Sequence, residues 1–314
     1  MAEYQHWKEA LMDAINELAR EHEEVCFLDA DLSSCIGSGS FKKEFPERFR
    51  NCGIAEQNMA AVAGGLSAMG MVPFMHTFGC FASRRMYDQL FLACGYAKRR
   101  VYVIGSDPGI TAQANGGTHM PFEDIALMRQ IPDMCIIEPS DHESLYQLTK
   151  QLYDKARLGY IRTPRKGGSS RYDRNTKIVL GKSIELKDGK DVAIMATGGV
   201  MVDEALKAYE ILKAKGIDAT VIDMHTIKPL DKETISKCVS RTGKLIVCEN
   251  GRYQGGIGEA IAREVLLQGI PCKMDFLAVE DRYGEVGKLP YLQEAFGMTA
   301  ENIARKAEAL VVGK

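Results

Sequence analysis

Short apolar runs, each bounded by Gly, Asp or Pro, alternate with stretches of helical periodicity along almost the whole chain. The runs at 25–28, 72–77, 101–104, 135–138 and 160–162 read as strands, and 57–69, 82–97, 122–129 and 142–155 between them as helices. That rhythm predicts a parallel sheet with helices on both faces. From 167 to 190 it breaks: the segment is rich in Gly, Ser, Lys, Arg and Asp, with one weak apolar run at 178–180. It resumes in strands at 192–196, 219–224, 245–248 and 274–278, with helices at 202–215, 232–240 and 258–268. Gly216 is placed to end one helix and Pro229-Leu230-Asp231 to start the next. Helices at 290–296 and 300–310 close the chain. The expected fold class is α/β: a parallel-sheet domain at 1–166, a linker at 167–190, and a smaller parallel-sheet domain at 191–314.

Composition narrows the function classes. At 314 residues the chain has room for two domains of roughly 150 residues each. Hydrophobic residues at 46% and charged residues at 26% exclude a disordered or fibrous chain. The 40 Lys and Arg nearly cancel the 42 Asp and Glu, so no global basic field exists to hold nucleic acid or an anionic membrane. A local basic pocket for a phosphorylated metabolite stays open. No apolar run approaches the ~20 residues of a bilayer span, and residues 1–20 read as an amphipathic helix without a signal-peptide core. The nine Cys are scattered singly with no CxxC pair. Reduced, mostly buried thiols in a cytoplasmic protein without a zinc site are expected.

Ligands of open parallel sheets bind at the carboxyl ends of strands, and three segments there are densely polar. Gly53-Ile54-Ala55-Glu56-Gln57-Asn58-Met59 leads into a helix rich in small residues. A carboxylate at such a helix start is commonly an electrostatic cap, so spacing alone leaves Glu56 open between cap and catalyst. Thr77-Phe78-Gly79-Cys80-Phe81 is followed by Arg84 and Arg85, and its two aromatics fit core packing as well as a ligand platform. The third segment runs from Gly105-Ser106-Asp107 to Asn115-Gly116-Gly117-Thr118-His119, a long glycine-rich loop of the kind that carries function. Gly255-Gly256-Ile257-Gly258 lacks an acidic residue about 20 positions on and reads as a tight strand-to-helix turn, not a dinucleotide loop.

Six pieces, "FPERFRNCGIAEQNMAAVAGGLSAMG", "TFGCFASRRMYDQL", "GGTHMPFEDIALMRQIPDMCIIEPSD", "RTPRKG", "DMHTIKPLDKETI" and "VGKLPYLQEAFGM", span nearly the whole chain. In content and order they resemble the pyrimidine-binding and C-terminal domains of thiamine-diphosphate enzymes of the transketolase type. The family's diphosphate-binding domain carries a Gly-Asp-Gly…Asn magnesium motif, and no Gly-Asp-Gly occurs in this chain. The resemblance therefore implies the C-terminal subunit of a split, two-gene transketolase. Its N-terminal partner subunit would supply the diphosphate site and Mg2+ (or Ca2+), in an α2β2 heterotetramer acting on sugar phosphates.

The resemblance also implies roles. Glu56 is the glutamate that hydrogen-bonds N1′ of the thiamine diphosphate aminopyrimidine and so promotes loss of the thiazolium C2 proton. Phe81, with Phe78 beside it, is the aromatic platform under that ring, and Arg84 stands near where the family has a tyrosine. His119 faces the substrate, and Arg165 grips its phosphate. Asn115 and Asp107 stand where transketolases carry an aspartate and a histidine, and the family's phosphate-side serine aligns roughly with Cys35, with Ser33 and Ser34 close by. Those replacements leave the sugar open, a deoxy, branched or sulfonated ketose included. Arg162, Glu249 and His225 read as structural. Competing readings are the β subunit of a 2-oxo acid dehydrogenase, a deoxyxylulose-phosphate-synthase-like enzyme, and a non-catalytic regulatory or scaffold subunit. The Gly-Gly-Thr-His loop speaks against the first, and the retained Glu56, Phe81 and His119 against the last.

Overall fold

The computed structural model describes residues 4–313. After α1 (Trp7–Glu21) come β1 (Val25–Asp29), α2 (Ser33–Ile36), α3 (Gly39–Glu44), β2 (Phe49–Asn51), α4 (Glu56–Ala68) and β3 (Val72–Phe78). Two widened helical turns, Phe81–Arg85 and Leu90–Tyr96, flank the short α5 (Tyr87–Gln89). Then follow β4 (Val101–Ser106), α6 (Asp124–Gln130), β5 (Met134–Ile137), α7 (His142–Lys155) and β6 (Leu158–Thr163). The second half runs β7 (Ile184–Lys187), β8 (Val192–Ala196), α8 (Gly198–Ala214), β9 (Ala219–Asp223), β10 (Thr226–Lys228) and α9 (Lys232–Thr242). It ends with β11 (Lys244–Arg252), α10 (Ile257–Leu267), β12 (Lys273–Val279), α11 (Leu289–Ala295) and α12 (Ala300–Val312).

Seven strands form one sheet in the order β10-β5-β6-β4-β3-β1-β2, and five form the other, β12-β11-β8-β9-β7. Pairing is parallel except at one edge of each sheet, where β10 runs antiparallel to β5 and β7 antiparallel to β9. Every residue of β1, β3, β4, β6, β8 and β9 is buried, which is why they read as mainly apolar runs, with polar residues such as His76 and Arg162 buried among them. Three strands escape the periodicity. β2 has one buried residue in three, β7 is a half-exposed Ile-Glu-Leu-Lys edge inside the segment read as a linker, and β10 is three residues long. β10 also belongs to the second half of the chain while pairing with the first sheet, so the halves interlock. One apolar cluster runs across the junction, joining Met59, Met75 and Ile136 to Met224, Ile227 and Val247. Among the described residues, no helix is long and apolar enough to cross a membrane.

Two buried charges brace the junction. Arg162 has no exposed side-chain surface; Nε and Nη2 hold Asp124 at 2.8 and 3.1 Å, Nη1 holds Glu138, and Nη2 also donates to the Asn250 carbonyl at 2.7 Å. Glu249, at the end of β11, accepts from the Ile257 and Gly258 amides at 3.0 Å each and so caps α10. Burial pushes the Glu249 carboxyl from 4.5 up to about 7, against the pull of those two amides and with help from the Glu138 charge. A carboxyl raised in the folded state holds its proton better there than in the unfolded chain. Its stabilisation is full below about pH 4.5 and is lost as pH rises through about 7. Glu249→Gln keeps an acceptor for the α10 amides and removes the titration. The variant's melting temperature, compared with wild type, is therefore expected to improve steadily between about pH 5 and about pH 8. A pH-independent difference would show that Glu249 does not titrate in this way.

Candidate active site

The carboxyl ends of β1, β3, β4 and β6 lie side by side in the middle of the first sheet, and the segments leaving them carry the candidate groups. Beneath them His76 of β3 is fully buried, with Nδ1 3.3 Å from Asp29 Oδ2 of β1 and Nε2 3.0 Å from Ser106 Oγ of β4. This bridge fixes three neighbouring strands at the point where the chain turns out to the site.

Glu56 is the first residue of α4 and only 2% exposed. Its oxygens make side-chain contacts that a plain helix cap does not require. Oε1 accepts from Thr77 Oγ1 at 3.2 Å, and both oxygens accept from Arg85 Nη1 at 2.9 Å. Beside it, the His119 ring stands edge-on to Phe81 and Phe78, with centroids 5.2 and 5.6 Å away. The Arg85 guanidinium lies 3.8 Å over the Phe81 ring, and that of Arg165 lies 4.9 Å over Phe78. Arg165 in turn donates from Nε to Asp107 Oδ2 at 2.7 Å and forms an ion pair with it, Nη2 lying 2.5 Å from the same oxygen. One continuous row thus runs Glu56, Arg85, Phe81, His119, Phe78, Arg165, Asp107.

Two expected positions differ. Arg84 does not join this row: Nη2 donates to the Thr118 carbonyl at 3.1 Å and Nε pairs with Glu123 at 3.0 Å, so it tethers the His119 loop from outside. Arg85 takes the place beside the aromatics, because in the widened turn the fourth residue after Phe81 returns to the Phe81 face. Ser34 is exposed on α2, and the half-buried Cys35 beside it is the group of the pair that acts on the Arg165 charge. Burial works against the Arg165 charge, but the Asp107 bond and carboxylate outweigh it, and Cys35 adds to the rise. Asn115 is exposed and lines, with Asp107 and Arg165, a cavity of about 500 Å³.

The loop from 107 to 119 is held by the second half of the chain. Asn250, in the irregular stretch of β11 between Cys248 and Arg252, accepts from the Ile110 amide at 3.0 Å and donates to the Pro108 carbonyl at 2.9 Å. The contact is so close that a Cβ on Gly109, whose φ is +51°, would lie 2.1 Å from Asn250 Oδ1. A Cβ on Gly117 would lie 2.2 Å from the Gly284 carbonyl oxygen. Gln113 sits at φ 47° and ψ −116°, a strained conformation for a residue with a side chain, as befits a loop over-determined by its surroundings. Sequence reasoning gives no role to Thr77, Arg85 or Asn250; Asn250 is 140 residues from its partner, and no local pattern marks it.

The residues fit the aminopyrimidine half of thiamine diphosphate. A buried carboxylate is linked through Arg85, whose side chain is 42% exposed, to the face of the Phe81 ring. Among the described residues, no group of three or more His, Cys, Asp or Glu could hold a metal ion.

Comparison with known proteins identifies the family. The transketolase pyrimidine binding domain matches residues 3–168 and the transketolase C-terminal domain residues 181–303. The 6-deoxy-6-sulfo-D-fructose transketolase subunit SqwH of Clostridium sp. strain MSTE9 is 42% identical over 311 residues, 99% of this chain and 96% of the relative. One of the subunits of the apulose-4-phosphate transketolase of Phocaeicola vulgatus is 33% identical over 301 residues, covering 96% of each. A solved structure described as a split gene transketolase, inactive beta4 tetramer, is 34% identical with a TM-score of 0.88 over 98% of both chains. The chain belongs to the transketolase family, with its pyrimidine-binding and C-terminal domains and relatives of matching length that are split-gene subunits.

Proposed function

We propose that this chain is the C-terminal subunit of a split transketolase, transferring a two-carbon ketol unit between sugar phosphates once assembled with a separate N-terminal subunit. The observation that carries the reading is the buried Glu56 beside the Phe81–His119–Phe78 cluster at the carboxyl end of a parallel sheet. Glu56, Phe78 and Phe81 would hold the aminopyrimidine of thiamine diphosphate, and the partner its diphosphate and Mg2+. When bound, that cofactor supplies an electron sink for cleavage of the bond next to a ketone carbonyl.

This chain's residues do the rest. Glu56 can hold a proton on a ring nitrogen, which an amide could not share. Phe78 and Phe81 orient the ring and keep water from it. The Thr118 hydroxyl lies 2.9 Å from His119 Nδ1, which leaves Nε2 for a substrate hydroxyl or the oxygen that gains charge. Arg165 and Asp107 face the far end of the sugar.

The test is to co-produce the chain with its N-terminal subunit and screen ketose donors and aldose acceptors. Transfer is expected only with both subunits, thiamine diphosphate and Mg2+ present, and light scattering is expected to give an α2β2 assembly. The relative described as an inactive beta4 tetramer supports the need for a second subunit, since that assembly of one chain is inactive. Activity of this chain alone, a purely 1:1 heterodimer at micromolar concentration, or turnover only of 2-oxo acids would each overturn part of the reading.

A further inference from the structure

We propose, resting on the cofactor binding in the reading above, that Arg85 is a placeholder in the empty subunit. Its guanidinium occupies the seat of the aminopyrimidine and has to swing outward before thiamine diphosphate enters. Two contacts carry this. Nη1 lies 2.9 Å from each oxygen of Glu56, so one nitrogen spans the carboxylate that the cofactor's ring nitrogen would use. The same guanidinium lies 3.8 Å over the Phe81 ring, whereas Phe78 and His119 meet that ring at 65° and 70°. A flat, delocalised cation stacked on an aromatic face and bonded to a carboxylate takes the place, and both contacts, of the cofactor's flat ring.

Burial shows which group moves. Glu56 is 2% exposed, with fully buried Thr77 of β3 on one side of its carboxylate and Arg85 on the other. The Arg85 side chain is 42% exposed, and among the described residues Glu56 is its one ion-pair partner. Arg84 next to it is tethered to Glu123 and the Thr118 carbonyl and leaves the seat alone. A buried carboxylate without a partner is costly, and Arg85 supplies the partner while the site is empty. Once the ring nitrogen takes over the hydrogen bond, the arginine is released to water. The exchange weakens cofactor affinity by the fraction of time the seat is open. A seat open about one time in ten raises the apparent Kd about tenfold.

The experiment titrates thiamine diphosphate with Mg2+ into the cofactor-free assembled pair by calorimetry, and melts the same preparation without cofactor. Arg85→Ala is expected to tighten cofactor binding about tenfold while lowering the melting temperature of the cofactor-free pair. Charge alone predicts the opposite sign for binding, because the cofactor's diphosphate is an anion and the variant has lost a cation. An arginine that merely braced the site would lose affinity and stability together. Arg85→Gln keeps a polar end without the charge and should tighten binding likewise, so it decides where Arg85→Ala does not assemble. Binding unchanged or weaker in an assembled variant overturns the proposal and leaves the transfer reading standing. Tighter binding in the variants with turnover only of 2-oxo acids does the reverse. A wild-type pair that binds no thiamine diphosphate overturns both.

Discussion

Glu56→Gln is expected to lower kcat of the assembled enzyme by about 10²-fold or more, the scale of losing a positioned acid–base group. Fold and assembly should survive, because the two side chains are nearly isosteric and the amide oxygen can still accept from Thr77 Oγ1. The lost partner, Arg85, is 42% exposed and falls back on water at little cost. What the amide cannot do is share a proton with a ring nitrogen. The direct measurement is exchange of the cofactor's C2 proton with deuterium in the assembled pair, a readout independent of the sugars. If the variant exchanges that proton as fast as wild type, Glu56 serves only to seat Arg85 at the start of α4, and the catalytic assignment fails. Arg85→Ala is the informative companion. It removes the cation but leaves the carboxylate, so exchange should persist where Glu56→Gln abolishes it.

The buried strands are legible in the sequence because parallel strands covered on both faces are mainly apolar, and runs such as Val72–Phe78 need no alternation to be seen. Edge strands are not, since β7 and β10 are short, partly exposed and defined by their partners in another part of the chain. The region 82–97 reads as one helix by periodicity, yet two widened turns shift its register and place Arg85, not Arg84, beside the aromatics. Glu56, Phe78, Phe81 and His119 are visible because each sits in a dense motif that the resemblance covers. The structure brings these four together, and their roles rest on the tests above. Asp107 and Arg165 each stand out in the sequence, but their mutual bond does not, because 58 residues separate them and only the alignment of β4 beside β6 closes that gap. Asn250 lies outside any motif for the same reason.

Arg162 offers the largest expected effect on stability. Its charge is fully buried between Asp124 and Glu138, and burial already raises the Glu138 carboxyl even with the arginine present. Arg162→Met keeps much of the side-chain volume but leaves two carboxylates in the interior without their cation. Breaking a buried pair in this way costs about 3–5 kcal/mol, roughly 5–10 °C in melting temperature for a chain of this size. The loss should depend on pH with a definite sign. The stranded Glu138 carboxyl, already raised by burial, holds its proton more tightly folded than unfolded, so the variant should recover part of its stability toward about pH 5 and lose most at about pH 8. Neutralising the partners as well, in Arg162→Met with Asp124→Asn and Glu138→Gln, should return much of the stability, since replacing a whole buried ionic cluster is often near neutral. The effect should also reach the site. Arg162 Nη2 holds the Asn250 carbonyl, and the Asn250 side chain holds Pro108 and Ile110 at the base of the loop that carries Asp107 and His119. Under conditions where Arg162→Met is still folded, KM for the sugar should therefore rise before thiamine diphosphate binding weakens. A variant that melts within about a degree of wild type at about pH 8 would show that the buried arginine is not what secures Asp124 and Glu138.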